Sequence, residues 1–387
     1  MPTFLKTQEF LQNGGTLEEL ENSLKLRINR HEDGRVQFNY HQIDSPKMND
    51  ICMECRSLIL DSKNNWDYVS LPFHRFFNRG EALEITEDFP IHTSSLIEKI
   101  DGSLISIYWF NDEWKISSRG TLDAEGEVGW SKILTFNDLV RITIKESHPE
   151  FWNNVSNEYS YYFELTSPEN RNVTPFIKKN LWLLGMRDRD GKEKHLSFMS
   201  DFALRLGVLY PKVFNFNDEL DILKMLTDLN NPFDEGYVIC DYTKYDTSGK
   251  SFRRLKMKNP GFVAISHLKD KGATSLTSLV LLSISGEVDE FVSYFPEFEV
   301  RCKNIRHKWE TYLKDVDGEW DKIQQGIDEI SRKDYAEKAI KSSDPNLMFW
   351  LYDNRSKTCR EYFDRILGDK NKAKRFAKQA VTMLGIT

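Results

Sequence analysis

The sequence has few cysteines, prolines and glycines and contains no long apolar run. Its 387 residues include 5 Cys, 12 Pro and 20 Gly, while 40% are hydrophobic, 13% are aromatic and 29% are charged. This composition excludes intrinsic disorder and fibrous repeats. It predicts two or three domains with ordinary hydrophobic cores. No apolar stretch approaches the roughly 20 residues that span a bilayer, so we predict no membrane segment.

A secretory leader and a disulfide framework are also missing. The first 15 residues show no basic stretch followed by an apolar core, so the expected location is the cytoplasm. An odd number of scattered cysteines is a poor disulfide framework. Cys52 and Cys55 form one C-x-x-C, but a structural zinc site needs four ligands and no second pair follows. We therefore interpret both cysteines as strand-end residues beside Arg56.

Charge of one sign does not dominate the chain. The 53 basic and 60 acidic residues give a net charge of −7, which argues against a protein that coats nucleic acid indiscriminately. Residues 261–387 carry 21 basic and 20 acidic side chains, so residues 1–260 carry −8. Residues 355–378 contain nine basic and three acidic side chains. This segment is either a helical face for phosphates or a solvated helix end, and the sequence leaves both readings open.

The hydrophobic pattern changes near Pro260. Before it, short strands alternate with turn signals and a few helices; after it, only helical spacing is found. We predict an α+β fold, with antiparallel sheets and flanking helices in residues 1–260 and an all-α domain in 261–387. The predicted strands are 36–40, 57–60, 104–109, 159–165, 181–186 and 236–241. The predicted helices are 17–27, 201–206, 218–229 after a candidate cap at Asn217, 262–284, 287–294, 300–315, 318–331, 334–341 and 355–383.

Common nucleotide and hydrolase motifs are not found. The segment 185–192 resembles a phosphate loop, but it has one residue too many and Glu193 where a metal-binding hydroxyl should stand. We interpret it as a hairpin turn. Neither G-x-G-x-x-G nor G-x-S-x-G occurs, so a dinucleotide-binding fold and an α/β-hydrolase are not supported.

Lys99 is the candidate nucleophile. It begins Lys-Ile-Asp-Gly-Ser, residues 99–103, ahead of an apolar strand. An ordinary lysine is almost wholly protonated at neutral pH, so burial and neighbouring cations are expected to lower the pKa of Lys99. Lys256 and Lys258 can supply these cations, because two residues of a strand separated by one share a face. Glu164 and Glu235 stand at strand edges and could hold ribose hydroxyls, Mg²⁺ or its waters.

The order of these motifs resembles the phage T4-like RNA ligase 1 family, within the covalent nucleotidyltransferases. K-x-D-G-S is followed by S-R-G, F-E-L, E-G-Y-V and K-x-K. The resemblance extends upstream through Tyr40, E-C-R-S at 54–57 and L-P-F-H-R-F-F-N at 71–78, and it takes in S-P-E-N-R-N-V at 167–173. It covers most of 36–262. A helical region after the last motif also matches this family, whereas DNA ligases and capping enzymes continue into an OB-fold.

The resemblance implies a role for each matching residue. Lys99 would accept AMP, Glu164 would bind the ribose, and Glu235 would organise Mg²⁺, or Mn²⁺ in its place, through water. Phosphates would contact Arg56, Lys256 and Lys258. The remaining ATP-site positions would be Tyr40, Arg75, Phe77, the backbone at Glu98, Gly102 and Arg119.

Two departures from the family pattern concern Arg75 and Arg119, where the family often has Lys. Arginine keeps the charge but cannot deprotonate, so a phosphate-clamping role survives and a proton-transfer role does not. Asp289 and Glu290 are a candidate second acidic site, with a first-turn helix charge as the alternative. Arg365, Lys372, Lys374 and Arg375 are the candidate RNA-binding residues of the basic segment.

The function implied is ATP-dependent joining of RNA 5′-phosphate and 3′-hydroxyl ends through lysyl-AMP and RNA-adenylate. Residues 1–260 would be the nucleotidyltransferase domain, and 261–387 would recognise RNA, with broken tRNA as the expected substrate. The expected state is a monomer, in the host cytoplasm if the chain is phage-encoded. The alternatives are a DNA ligase or capping-type enzyme, and an inactive relative that binds RNA ends.

Overall fold

The chain divides into two compact units, Met1–Val263 and Ala264–Thr387. The computed structural model describes residues 5–82, 86–129, 134–272, 275–285, 288–327 and 331–386. Within these ranges, no helix combines the length and apolar character needed to cross a membrane.

Three sheets form the first unit, and all their strand pairs are antiparallel except one. The strands are β1 (Leu26–Arg30), β2 (Arg35–Tyr40), β3 (Arg56–Asp61), β4 (Asp67–Ser70), β5 (Phe77–Asn78), β6 (Ser95–Glu98), β7 (Ser103–Phe110), β8 (Glu113–Ser118), β9 (Tyr159–Thr166), β10 (Asn180–Asp188), β11 (Val213–Phe214), β12 (Gly236–Asp241) and β13 (Arg253–Lys258). The sheets have the orders β1-β2-β3-β4, β10-β9-β7-β8 and β11-β6-β12-β13-β5, in which β5 runs parallel to β13.

Helices flank these sheets, and most begin at a polar cap. Thr16 and Thr135 each form a reciprocal capping box, with Glu19 and Asp138 respectively. Asp218, and not Asn217, caps the helix near 218, because its side chain accepts from the N–H of Asp221. The helices are α1 (Lys6–Gln12), α2 (Leu17–Leu24), α3 (Asp50–Glu54), α4 (Phe136–Ser147), α5 (Phe151–Asn154), α6 (Leu196–Leu206) and α7 (Glu219–Thr227).

Two further expectations about local structure fail in this unit. The predicted helix 17–27 ends at Leu24, because Lys25 adopts a left-handed backbone with φ 55° and β1 follows at once. Cys52 is not a strand-end residue, since it lies in α3, whereas Cys55 directly precedes β3 as expected. The hairpin predicted from 185–192 is confirmed: Gly191 donates to the carbonyl of Asp188, and Arg187 pairs with Glu193.

The core of the first unit lies between sheets and helices. Side chains of β7, β9 and β10 pack with Leu139 and Val140 of α4 in one cluster. Leu255 and Met257 of β13 pack with Ile222 of α7 in another. Because alternate residues of a strand point to opposite faces, the intervening residues of β13 remain available for a site.

The second unit is entirely helical in its described residues, as the pattern predicted. The single segment predicted at 262–284 is two helices, and those at 300–315 and 318–331 form one continuous helix to Gln324. A helix at Pro345 was missed, although Pro at its first position and the capping side chain of Asp344 are both start signals. The helices are α8 (Pro260–Gly272), which begins in the first unit, α9 (Leu276–Ile284), α10 (Val288–Tyr294), α11 (Glu299–Gln324), α12 (Arg332–Ile340), α13 (Pro345–Asp353), α14 (Cys359–Leu367) and α15 (Lys370–Met383).

Candidate active site

Lys99 directly follows β6 and lies against the start of β12. Its backbone N–H donates to the carbonyl of Gly236 at 2.9 Å, and its Nζ donates to Oε2 of Glu235 at 2.6 Å. The register pairs Gly236 with Lys258, and Nζ of Lys258 lies 3.2 Å from Oε1 of Glu235. Adjacent strands thus bring the candidate nucleophile, one carboxylate and a second lysine together.

The two lysines of β13 occupy the face that its alternation predicts. Leu255 and Met257 are buried in the core, while Lys256 and Lys258 are only partly buried. Nζ of Lys256 lies 4.5 Å from the ring centroid of Phe76. Burial, followed by the charges of Arg56 and Lys99, lowers the pKa of Lys256 to about 7.

The expectation for Lys99 is wrong in this state of the protein. Burial does oppose its charge, but the carboxylates of Glu235 and Glu164 outweigh this effect, and its pKa is raised. The ion pair with Glu235 explains the difference, because an opposite charge in direct contact favours the ammonium form. It is Lys256, surrounded by cations, that shows the depressed pKa expected of Lys99.

Glu164 is the second carboxylate of the site. It lies on β9 between Leu104 of β7 and Trp182 of β10 in the strand register. The pKa of Glu164 is raised to about 8, chiefly by burial; the charge of Lys99 opposes this rise, and that of Glu235 contributes to it. A partly protonated carboxyl can donate as well as accept a hydrogen bond, which suits contact with hydroxyl groups.

Arg56 begins β3 and is held between aromatic rings. Its guanidinium carbon lies 5.9 Å from the ring of Phe73 and 5.2 Å from that of Phe76. Its Nη1 is buried and has no hydrogen-bond partner among the described residues. Burial, followed by the charge of Arg119, lowers the pKa of Arg56 to about 10. An unpartnered, desolvated guanidinium beside other cations is a favourable contact for an anion.

Tyr40 is covered by two arginines. The guanidinium carbons of Arg75 and Arg119 lie 4.1 and 5.3 Å from its ring centroid. Arg75 is buried, lies 5.2 Å from the ring of Phe77, and donates to the carbonyls of Ser45 and Gln42. Arg119 is exposed. The structure therefore groups Tyr40, Arg75, Phe77 and Arg119.

Glu98 and Gly102 lie on either side of Lys99 in the chain. The N–H of Glu98 donates to the carbonyl of Lys212, and its carboxylate accepts from the N–H of Lys212. A Cβ at Gly102 would lie 2.4 Å from the carbonyl oxygen of Leu165. Only glycine allows this close approach of the loop to β9.

A polar clamp that the site prediction did not include holds the loop after Lys99. Asp101 accepts from the N–H groups of Val173 and Thr174 at 2.7 and 2.8 Å. Asn172 donates to the carbonyl of Gly102 at 2.5 Å. Asp101 and Asn172 both belong to the motifs quoted above, so motif membership was the signal that could have identified them.

Three residues of the first unit, Ser251, His74 and Asp246, resemble a hydrolase triad. Nδ1 of His74 lies 2.9 Å from Asp246, and its Nε2 lies 3.3 Å from Oγ of Ser251. Ser251 is fully buried, however, and accepts a hydrogen bond from Arg187, which also donates to the carbonyl of Leu71. The group thus anchors the 71–78 segment and offers no exposed nucleophile.

In the second unit, the candidate residues are on the surface. Asp289 is exposed and lies 3.4 Å from Arg306; the side chain of Glu290 lies outside the described residues. Arg365, Lys372, Lys374 and Arg375 are all exposed. Lys372 lies 3.6 Å from Asp369, and Arg365 lies over the rings of Trp350 and Tyr362 at 5.4 and 5.6 Å.

The residues around Lys99 fit a nucleoside triphosphate with a divalent cation. The buried Nη1 of Arg56 and the depressed pKa of Lys256 both indicate surplus positive charge, which phosphates would neutralise. Glu235 and Glu164 provide the hard oxygen donors that Mg²⁺ prefers. The described residues contain no group of three or more His, Cys, Asp or Glu side chains that could hold a metal ion.

Comparison with known proteins agrees with the motif order. The model of a family described as RNA ligase matches residues 54–262, more than half of the chain. A candidate bifunctional polynucleotide kinase/RNA ligase of Autographa californica nuclear polyhedrosis virus is 30% identical over an alignment of 312 residues that covers 76% of this chain and 42% of that protein. An RNA ligase of Rhodothermus phage RM378 is 22% identical over 382 residues, covering 85% of this chain and 84% of that one.

This chain thus spans less than half the length of the baculovirus relative. Among solved structures, an archaeal ATP-dependent RNA ligase has a TM-score of 0.45 and 13% identity, over 79% of each chain. The family match itself covers the arginine, lysine and glutamate motifs that surround Lys99. On that match, the chain belongs to the T4-like RNA ligase family.

Proposed function

We propose that this protein is an ATP-dependent RNA ligase that joins 5′-phosphate and 3′-hydroxyl ends through a lysyl-AMP intermediate. The observation that carries the proposal is the arrangement around Lys99. A partly buried lysine contacts Glu235, which also contacts Lys258, and the depressed pKa of Lys256 reflects the nearby charges of Arg56 and Lys99. Such an arrangement suits phosphoryl transfer to a lysine, because clustered cations stabilise the charge of the transition state.

In the first step, the free amine of Lys99 forms a P–N bond to the α-phosphate of ATP, and the bond to pyrophosphate breaks. The ion pair with Glu235 must open and the ammonium must lose a proton before attack, because only the neutral amine is nucleophilic. Triphosphate binding would turn Lys256, Lys258 and Arg56 toward phosphate oxygens. Glu164 would accept from or donate to the ribose hydroxyls.

In the second step, an oxygen of the RNA 5′-phosphate displaces Lys99 from AMP and forms a P–O–P bond. In the third, the RNA 3′-hydroxyl attacks that 5′-phosphate, AMP leaves, and the proton of the hydroxyl is released. Glu235 would hold Mg²⁺ through water, and the cation would supply charge neutralisation at the phosphates. The cations of β13 serve all three steps, since each develops charge on a phosphoryl group.

Broken tRNA is the proposed substrate, with ATP and RNA ends as partners of a monomer. Residues 1–260 would carry out nucleotidyl transfer, and 261–387 would recognise the folded RNA through their exposed basic residues. The proposal rests on family membership and on the basic cluster of 355–378. A structured substrate needs a second contact surface, because shape is read at more than the reacting ends.

The test is formation of the covalent adduct. After incubation with Mg²⁺ and either ATP or GTP, intact-mass measurement should show one added AMP with ATP alone, and peptide mapping should locate it on Lys99. Lys99→Ala should form no adduct yet retain some sealing of RNA that already carries a 5′-adenylate, because the nucleophile is not used in the last step. An adduct with GTP would favour a capping-type enzyme, and sealing of nicked DNA in preference to RNA would favour a DNA ligase. Absence of any adduct would favour an inactive RNA-end-binding relative.

A further inference from the structure

Gln37 lies in the middle of β2, fully buried, and its side-chain amide makes three hydrogen bonds. Its Nε2 donates to Oγ of Ser57 and to the carbonyl of Ser118, both at 2.9 Å. Its Oε1 accepts from Nδ2 of Asn29 at 3.1 Å. A buried glutamine with both donors and its acceptor engaged is held in a single orientation.

The first partner, Ser57, directly follows Arg56 at an irregular point of β3. The register between β2 and β3 shifts after Phe38, so that Asn39 stands opposite Arg56 and Ser57 is the extra residue. Ser57 has a left-handed backbone with φ 64°, which is uncommon for serine. Asn39 accepts from its N–H at 2.9 Å, and Gln37 donates to its hydroxyl. Such a bulge redirects the neighbouring side chain, here Arg56.

The second partner, Ser118, directly precedes Arg119. Gln37 binds the carbonyl of Ser118, and Asn29 donates to the carbonyl of Gly120 at 2.7 Å. The backbone on both sides of Arg119 is therefore held by β1 and β2. The side chain of Gln37 thus contacts both the residue after Arg56 and the residue before Arg119, and the two arginines interact electrostatically.

We infer that Gln37 is a positioning residue for Arg56 and Arg119, holding both guanidinium groups where they can contact the triphosphate. The inference rests on the proposed function only for the identity of the reaction. Removal of the amide would free Ser57 from its left-handed conformation and release the Ser118 carbonyl, so that both guanidinium groups move relative to Lys99. Displacements of about 1 Å in a reacting site can cost about 100-fold in rate.

The principal experiment compares Gln37→Leu with Gln8→Leu. Gln8 is also fully buried in the first unit, and its Nε2 makes one hydrogen bond, to the carbonyl of Trp66. We expect Gln37→Leu to slow single-turnover formation of lysyl-AMP by about 10- to 100-fold. Gln8→Leu, which removes a buried amide that touches neither arginine segment, should leave the adenylation rate within about twofold. Equal rate reductions in the two variants would overturn the inference.

A mutant cycle separates positioning from general damage. In a background of Arg56→Ala with Arg119→Ala, Gln37→Leu should cost less than about twofold, because residues that act through one another are not additive. The same rate reduction in both backgrounds would contradict a positioning role. If Gln37→Leu does not fold, Asn29→Ala replaces it, since Asn29 is only partly buried and its side chain donates both to Oε1 of Gln37 and to the carbonyl of Gly120 beside Arg119. Its effect should vanish when Arg56 and Arg119 are both alanine, and persistence in that background would overturn the inference.

Inorganic triphosphate serves as a probe that needs no ligase activity. Isothermal titration with triphosphate should show weaker binding to Gln37→Leu than to Gln8→Leu, and no difference once both arginines are alanine. If the protein forms no lysyl-AMP but this pattern holds, the proposed function fails while the positioning role stands. If lysyl-AMP forms normally but Gln37→Leu binds triphosphate as tightly as Gln8→Leu does, the positioning role fails alone.

Discussion

Glu164 is a partly buried carboxyl whose ionisation should be visible in protein stability. Its pKa is raised from 4.5 to about 8, chiefly by burial. The folded protein thus holds this proton more tightly than the unfolded chain does, and its contribution to stability falls as pH rises from about 4.5 to about 8. Glu164→Gln, which is neutral throughout, should melt higher than the wild type at pH 8 and lose that advantage near pH 4.5.

Each kcal/mol by which Glu164→Gln raises the free energy of unfolding corresponds to a rise of about 2–4 °C in the melting temperature of a unit of this size. Thermal melts of Glu164→Gln and of Glu113→Gln across this pH range provide the measurement. Glu113 is exposed, so its variant should follow the wild-type curve. Parallel curves for all three proteins would show that Glu164 titrates normally.

Lys256 should couple phosphate binding to proton uptake. Because its pKa is lowered to about 7, Lys256 is only partly protonated at physiological pH. Triphosphate favours the ammonium form, so its affinity should fall by up to about tenfold per pH unit above 7. Lys256→Arg, which stays charged, should flatten this dependence. Titration calorimetry between pH 6 and 8.5 measures this pH dependence, and an equal pH slope in Lys256→Arg would contradict the coupling.

Lys256 should also affect the rate of adenylation. Lys256→Ala should slow adenylation by about 100-fold, whereas the exposed Lys192→Ala should not.

At the scale of the element, the two faces of β13 should have different roles. One face packs in the hydrophobic core and should contribute to stability, and the other carries the lysines of the candidate active site. Met257 is 4% exposed in the core, and Lys258 contacts Glu235 on the other face. Met257→Ala should cost about 2–5 kcal/mol of unfolding free energy with little effect on the adenylation rate of the folded protein. Lys258→Ala should slow adenylation by about 100-fold and cost far less stability. Urea unfolding and single-turnover assays measure both quantities, and the same kind of damage in both variants would contradict the two-face arrangement.

Elements with a clear period or motif were predictable from the sequence. The alternation of 255–258 predicted which lysines share a face, and the spacing of 159–165 predicted β9. The end of α2 at Leu24 was not predictable, because the left-handed backbone of Lys25 depends on tertiary packing. The same holds for the site: Lys99 and Glu235 are motif residues, but Gln37 carries no motif and matters through contacts between residues distant in sequence. The raised pKa of Lys99 likewise depends on a pairing 136 residues away.

At the scale of the whole molecule, charge is divided between the two halves of the sequence. Residues 1–260 carry −8, while 355–378 carry nine basic and three acidic side chains. If the protein acts on RNA as proposed, the acidic first half would attract this polyanion poorly, so affinity for RNA should draw on cations in the second unit. The two readings of the basic segment, an RNA-binding face and a solvated helix end, predict different salt dependences.

A quadruple variant distinguishes these two readings. It replaces four basic residues with glutamine, namely Arg365, Lys372, Lys374 and Arg375. All four are exposed on α14 and α15, so the substitutions should leave the fold and lysyl-AMP formation unchanged. If they bind phosphates, the logarithmic salt slope of RNA binding should fall by about 0.7 for each single-strand phosphate that is no longer neutralised. Sealing of a nicked tRNA should decline more than sealing of a short single strand, because shape recognition needs a second surface. The matched control replaces Lys322, Lys333, Lys338 and Lys341, which are equally exposed but lie outside the basic segment. Equal salt slopes and equal tRNA sealing in the two quadruple variants would show that the basic segment is a solvated helix face.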